Sequence, residues 1–161
     1  MVRKGFSLIE VLIVITIISV LMGIGYVGFE VVYKNTTINS KLSGITQNLF
    51  YLLVDARRGA VIKNRIHCIK FENGKFSSFV DEDLDGISDD GKKSEFSLED
   101  SMEVYLNGNK VNNFLIYTYD GFFLKNIGGY LNTDYSNLEI EIKLEKSKKI
   151  IIENSLPKMA E

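Results

Sequence analysis

Between Glu10 and Glu30 the chain runs for nineteen residues, Val11 to Phe29, without a charged side chain. Wound as a helix at about 1.5 Å per residue, this stretch reaches roughly 28 Å, close to the hydrocarbon thickness of a bilayer. It is long enough to cross. Arg3 and Lys4 precede it, and the next charges beyond it are Glu30 and Lys34. The positive-inside tendency therefore holds the first residues in the cytoplasm and sends the remainder outward. An ordinary cleaved signal has a shorter apolar core closed by a small-residue site. Here the apolar run continues past Met22 through Gly23, Gly25 and Tyr26 to Phe29 with no Ala-x-Ala-like site.

The whole chain of 161 residues is 45% hydrophobic and 25% charged, enough for one globular domain with a core and unlike a disordered tail or a collagen-like rod. Nineteen basic side chains against twenty-one acidic ones give a formal charge of -2, so no general field draws it to nucleic acid. Cys68 is the only cysteine and His67 the only histidine, which excludes an intramolecular disulfide, a four-ligand zinc site and a histidine-based triad. No catalytic residue is assigned, and an enzyme is not expected.

Glu10 stands near the start of the apolar run, where a bare carboxylate at mid-membrane depth would cost about 3 kcal/mol or more. It either finds a partner or, lying a turn from the helix start, reaches back to the headgroups. Its surroundings, Arg3-Lys4-Gly5-Phe6-Ser7-Leu8-Ile9-Glu10-Val11-Leu12-Ile13-Val14, resemble the class III signal of type IV prepilins and type II secretion pseudopilins. That signal is a short basic leader ending in Gly, then Phe, then Glu as fifth residue of the mature chain. The resemblance implies that a membrane aspartyl peptidase, the prepilin peptidase, cuts between Gly5 and Phe6 and that the new amine on Phe6 is methylated. Cleavage would remove two of the nineteen basic side chains, leaving seventeen against twenty-one. In a bundle of staggered helices the Phe6 amine of one subunit can then meet the Glu10 carboxylate of its neighbour, so that each buried charge satisfies the other.

Beyond the span, Ile38, Leu42, Ile45, Leu49, Leu52, Leu53, Ala56 and Ala60 recur at steps of three and four, the stripe of an amphipathic helix. A continuous helix from Phe6 to about Ala60 would reach roughly 80 Å. Gly23, Gly25 and Gly28, at about 1 kcal/mol each, predict a bend or local melting where the first half ends. After Asn64 the period becomes two. Arg65 to Glu72 and Lys75 to Val80 read as strands around the turn Asn73-Gly74, Met102 to Leu106 and Val111 to Tyr119 as strands around Asn107-Gly108-Asn109, and Asp120-Gly121 as a turn before Phe122 to Leu124. Leu138, Ile140, Ile142 and Leu144 alternate with Glu139, Glu141, Lys143 and Glu145, a half-buried antiparallel strand, with Lys149 to Glu153 as its hairpin partner.

A narrower resemblance rests on three stretches. Asp55-Ala56-Arg57-Arg58-Gly59-Ala60-Val61-Ile62-Lys63-Asn64-Arg65 is similar to the Ala-Arg-x-x-Ala-x-x-x-x-Asn helix end of the GspH/FimT minor pilins, although Gly59 stands where members carry a larger residue. Phe79-Val80-Asp81-Glu82-Asp83-Leu84-Asp85-Gly86 resembles their acidic turn, and Tyr119-Asp120-Gly121 with Gly128-Gly129-Tyr130-Leu131 their late pair of strands. The resemblance implies a structural subunit at or near the tip of a type II secretion pseudopilus or, alternatively, a type IV pilus minor pilin contacting DNA during uptake.

Three further clusters need weighing. Asp81, Glu82, Asp83, Asp85, Asp89 and Asp90 put six carboxylates within ten residues. The opening matches a calcium loop, yet its twelfth position is Lys92 instead of a bidentate Glu, and Glu95 comes three residues later. A solvated acidic hairpin is therefore favoured and no cofactor is assigned, with Asp81, Asp83, Asp85 and Asp89 as the calcium candidates. His67 and Cys68 are neighbours on a strand and face opposite ways, His67 with Ile69 and Phe71, Cys68 with Ile66, in structural roles. Lys143, Lys146, Lys148 and Lys149 form a basic cluster, of which Lys146, Lys148 and Lys149 are the candidate nucleic-acid contacts, but Glu139, Glu141, Glu145 and Glu153 surround them. Nucleic acid is not the expected partner.

The expected fold is α+β: a long N-terminal helix, its first half transmembrane, packed by its second half on an antiparallel β-sheet domain. The segments are a leader over 1–5, a transmembrane and assembly helix over 6–29, an amphipathic helix over 30–64 and a β domain over 65–161 with an acidic loop at 81–95. The expected location is the bacterial inner membrane, single-pass, N-terminus cytoplasmic before cleavage and globular domain periplasmic. The expected partners are prepilin peptidase, other (pseudo)pilins through the N-terminal helix, and the inner-membrane assembly platform.

Overall fold

The structure, a computed structural model, describes residues 7–127, 130–132 and 137–160. One helix, α1 (Leu8–Lys63), precedes an all-antiparallel set of strands. The chain divides into two compact units, Met1–Asn39 and Ser40–Glu161, a boundary later than the 29/30 division the charge pattern suggests.

In the first unit α1 is unbroken through Gly23, Gly25 and Gly28, so the local melting expected there is absent. The hydroxyls of Thr16 and Ser19 donate back to the carbonyls of Leu12 and Ile15, both at 2.8 Å. These two hydroxyls and the helical backbone find their acceptors inside the helix, which lipid demands: an unsatisfied peptide group there costs several kcal/mol, more than a glycine's propensity penalty of about 1 kcal/mol.

The second unit begins within α1, whose stripe is buried as its spacing predicts: Leu42, Leu49, Leu52, Leu53, Ala56 and Ala60 are buried and Ile45 partly so. Strands β1 (His67–Glu72), β2 (Lys75–Val80), β3 (Ser94–Ser97), β6 (Asn113–Tyr119), β7 (Phe122–Ile127) and β8 (Tyr130–Asn132) form a six-stranded sheet ordered β3-β2-β1-β6-β7-β8. A second sheet, ordered β11-β10-β9-β4-β5, is built from β4 (Glu103–Leu106), β5 (Asn109–Val111), β9 (Asn137–Lys143), β10 (Ser147–Glu153) and β11 (Leu156–Ala160). Both sheets turn an apolar face into the core that α1 also lines. The first gives the row Phe96, Phe76, Phe71 and Phe114, with neighbouring ring centroids 4.7 to 5.6 Å apart, and the second gives Leu138, Ile140, Ile142, Ile150 and Ile152.

Several boundaries differ from the sequence reading. Val111 to Tyr119 is not one strand, because the chain leaves the second sheet after Val111 and enters the first at Asn113. β1 starts at His67 instead of Arg65, and the acidic loop ends before Ser94, since Ser94 and Glu95 already pair with β2. β11 carries no turn-Gly signal; the hairpin into it turns through Asn154 and Ser155 at φ 48° and 62°. Gly128 and Gly129 lie outside the described residues, while Tyr130 and Leu131 do enter β8. Pro157 sits on β11, an edge strand. The two-residue turn makes Glu153 and Leu156 the hydrogen-bonded pair, so Pro157, opposite Ile152, points its missing N–H to the free edge.

The departure at Gly59 has a steric cause. A Cβ at that position would lie 2.8 Å from Cε1 and 2.9 Å from Nε2 of His67, so the helix residue is small because the strand residue opposite it is an imidazole. Cys68 faces the other way, as expected, into a second cluster with Phe79, Tyr117 and Leu124, beside Ile66. It is fully buried, and burial with Asp81 nearby pushes its thiol up to about 12, so no reactive thiolate forms.

Candidate functional site

Gly5 and Phe6 lie outside the described residues. The described chain opens with Ser7, which stands as the cap of α1: its Oγ accepts the Ile9 N–H at 3.4 Å, and the Glu10 carboxylate reaches back to accept the Ser7 N–H at 3.0 Å. This reciprocal Ser-x-x-Glu arrangement satisfies donors that a helix start otherwise leaves bare. Glu10 therefore has a partner within its own chain, and Ser7 joins the candidate site through a Ser-x-x-Glu spacing that is legible in the sequence. The apolar half of α1 is exposed throughout its candidate span, with Leu8 at 83% and Met22 at 71%. A surface of that extent requires lipid or other subunits to cover it.

The acidic loop between β2 and β3 is organised around Asp81, whose side chain is completely buried. Its Oδ1 accepts the Asp85 N–H at 3.1 Å, and its Oδ2 accepts the Gly86 N–H at 2.8 Å and the Tyr117 hydroxyl at 3.2 Å. The loop is closed at its neck by Asp81 N–H to Ile66 O and Asp89 N–H to Val80 O, both 3.0 Å, and by the Glu82 N–H to Asp89 Oδ2 at 2.6 Å. Arg65 bridges Glu82 at 2.6 Å. Leu84 packs into the second apolar cluster, and Gly86, at φ 77°, lies against Leu115. Backbone donors and the Arg65–Glu82 bridge engage the loop's carboxylates, and Leu84 folds the loop over the outer face of the first sheet.

Burial raises the Asp81 pKa above the ordinary carboxylate value, against the pull of its Gly86, Tyr117 and Asp85 donors. Of the four calcium candidates, Asp81, Asp83 and Asp89 bring one oxygen each within 4.8 Å of the others. Asp85 is not in that group; its carboxylate accepts the Ile87 N–H at 2.7 Å. With three donors already on Asp81, little coordinating capacity remains. Calcium titrated into the full-length protein in detergent is expected to bind no more tightly than about 10⁻⁴ to 10⁻³ M. A micromolar site abolished by Asp81→Ala would overturn this.

The basic cluster is partly engaged within the second sheet. Lys149 bridges Glu139 at 2.7 Å and Glu141 at 3.9 Å, which raises its pKa, and Lys143 lies 5.7 Å from the Tyr105 ring centroid. Of the four lysines, Lys149 makes an ion pair among the described residues and Lys143 a cation–π contact.

Residues 1–26 match the prokaryotic N-terminal methylation motif. No curated protein and no solved structure matches the chain significantly. A motif of that kind, with an apolar helix long enough to cross a membrane and an antiparallel β unit, indicates a type IV pilin-like precursor, of the sort prepilin peptidase processes for assembly with other pilins.

Proposed function

We propose that the protein is a minor pseudopilin of the GspH/FimT kind, a structural subunit at or near the tip of a type II secretion pseudopilus. It is cut after Gly5, methylated on Phe6, anchored once in the inner membrane and carries its β unit in the periplasm. The observation that carries the reading is the methylation motif over residues 1–26, with Glu10 at the head of an apolar helix that none of the described residues covers. A structural role also fits the second unit, where the buried Asp81 carboxylate holds a loop. The pairing of Lys149 with Glu139 and Glu141 favours secretion over DNA contact.

A deletion strain scored in parallel for exoprotein release, surface piliation and DNA uptake tests it. Exoprotein release should fall with the other two unchanged. An allele with a bulky residue in place of Gly5 should fail to restore release, its product remaining at full-length mass in the inner membrane. Normal release without the gene, or wild-type protein that keeps Met1 to Gly5 beside an active prepilin peptidase, would sink the proposal.

A further inference from the structure

His67 is the protein's only histidine, and it lies where the last turns of α1 meet the first sheet. The Cε1–Nε2 edge of its imidazole faces Gly59, between the buried Ala56 and Ala60. Across the sheet its row runs from Val80 on β2 through His67 to Thr118 on β6 and Phe123 on β7. Those three neighbours are all buried and uncharged. His67 Nε2 and the Thr118 hydroxyl oxygen are both buried without a hydrogen-bond partner among the described residues. The charged groups around the ring are Lys63 and Asp55 on α1, Arg65 on the approach to β1, and Asp90 from the acidic loop. Arg57, on the same part of α1, is engaged at the β6–β7 turn, its Nε donating to Gly121 O at 2.8 Å.

We propose that His67 is an acid-sensitive clamp: neutral, it lets the end of α1 close on the first sheet through Gly59, and protonated, it turns out to water and loosens Gly59–Lys63 from the sheet. A second N–H on a ring held against Gly59 would add a buried cation beside Lys63 and Arg65. No carboxylate is bonded to the ring, and the Thr118 oxygen is the uncharged acceptor in its row.

Burial first, and then Lys63, lower the His67 pKa in the folded protein. A group depressed in this way favours folding above the unfolded histidine pKa, near ~6.5, and loses that contribution as pH falls from there toward the folded value. Because one proton is involved, the opened population rises by at most about tenfold per pH unit in that window. Asp81, raised by its own burial, has the opposite sign and acts in the carboxylate range.

The test uses the full chain in nonionic detergent. The single histidine Cε1–H signal gives the His67 pKa directly, and amide exchange at Gly59–Lys63, corrected for intrinsic rates, is compared between about pH 7.5 and 5.5 in wild type and His67→Gln. The expected result is a pKa below ~6.5, with acid-accelerated opening in wild type and a flat profile in the variant. The comparison also subtracts any effect of the terminal amine. A folded pKa at or above ~6.5, or equal acid acceleration in His67→Gln, overturns the clamp. Should the variant fail to fold, the wild-type titration alone decides.

Discussion

Asp81→Ala is expected to destabilise the second unit by about 3–4 kcal/mol, the largest loss from any single truncation outside its apolar core. Three donors converge on that carboxylate, and bonds to a charged acceptor contribute about 1.5–3 kcal/mol each. They do not all fail equally. The Asp85 and Gly86 N–H groups can find water once the loop opens, whereas the fully buried Tyr117 hydroxyl cannot without exposing Phe79 and Leu124. The estimate therefore rests mainly on the lost Tyr117 bond and on Leu84 leaving its cluster. Because burial raises the Asp81 pKa, the folded chain holds that proton more tightly than the unfolded one. Its contribution is fully present below the unfolded carboxylate value and erodes as pH rises through the folded value, so the penalty should grow toward acid. Denaturant midpoints followed by tyrosine fluorescence or circular dichroism suffice, the chain having eight tyrosines and no tryptophan. A loss under about 1 kcal/mol, the size of one ordinary neutral hydrogen bond, would show that the loop does not depend on Asp81.

Glu10→Ala should leave expression, insertion and the β unit intact while recovery in sheared fibres or crosslinked tip complexes falls by about 10² or more. Within its own chain Glu10 caps only Ser7, and losing a cap costs about 1 kcal/mol at a helix end. In an assembly a neighbour's amine would be stranded, and breaking a buried ion pair costs about 3–5 kcal/mol. The two roles separate with Glu10→Gln, whose amide oxygen can still accept from Ser7 but carries no charge. Gln should retain helix capping and still fail to assemble. Recovery of either variant at the wild-type level would count against the amine–carboxylate pairing.

The apolar helix, the stripe from Ile38 to Ala60 and the hairpins turning at Asn73-Gly74, Asn107-Gly108 and Asp120-Gly121 were readable because each follows from local periodicity or from turn residues that tolerate positive φ. What escaped was non-local. Nothing in Val111 to Tyr119 marks Asn112 as the point where the chain changes sheets, since both parts alternate alike; only the choice of partner, β4 or β1, divides them. β3 and β11 form because neighbouring strands recruit them, and Asn154-Ser155 makes its turn without glycine. Within the candidate sites, the clustered carboxylates announced themselves as a loop, but their order depends on Tyr117, thirty-six positions along the chain. The capping role of Ser7 was local, and a search for Ser-x-x-Glu ahead of an apolar run would have found it.

Pro157 bears on the kinetics of getting such a subunit into place. A pilin-like chain must meet its own kind at high local density in the membrane plane before any machine handles it, and every sheet edge is then a chance to join wrongly. Here the open edges are β3, β8, β5 and β11: four, three and three residues long in the first three cases, and five in the last, where the outward donor has been deleted by proline. Sideways growth by strand addition thus finds no template long enough to nucleate.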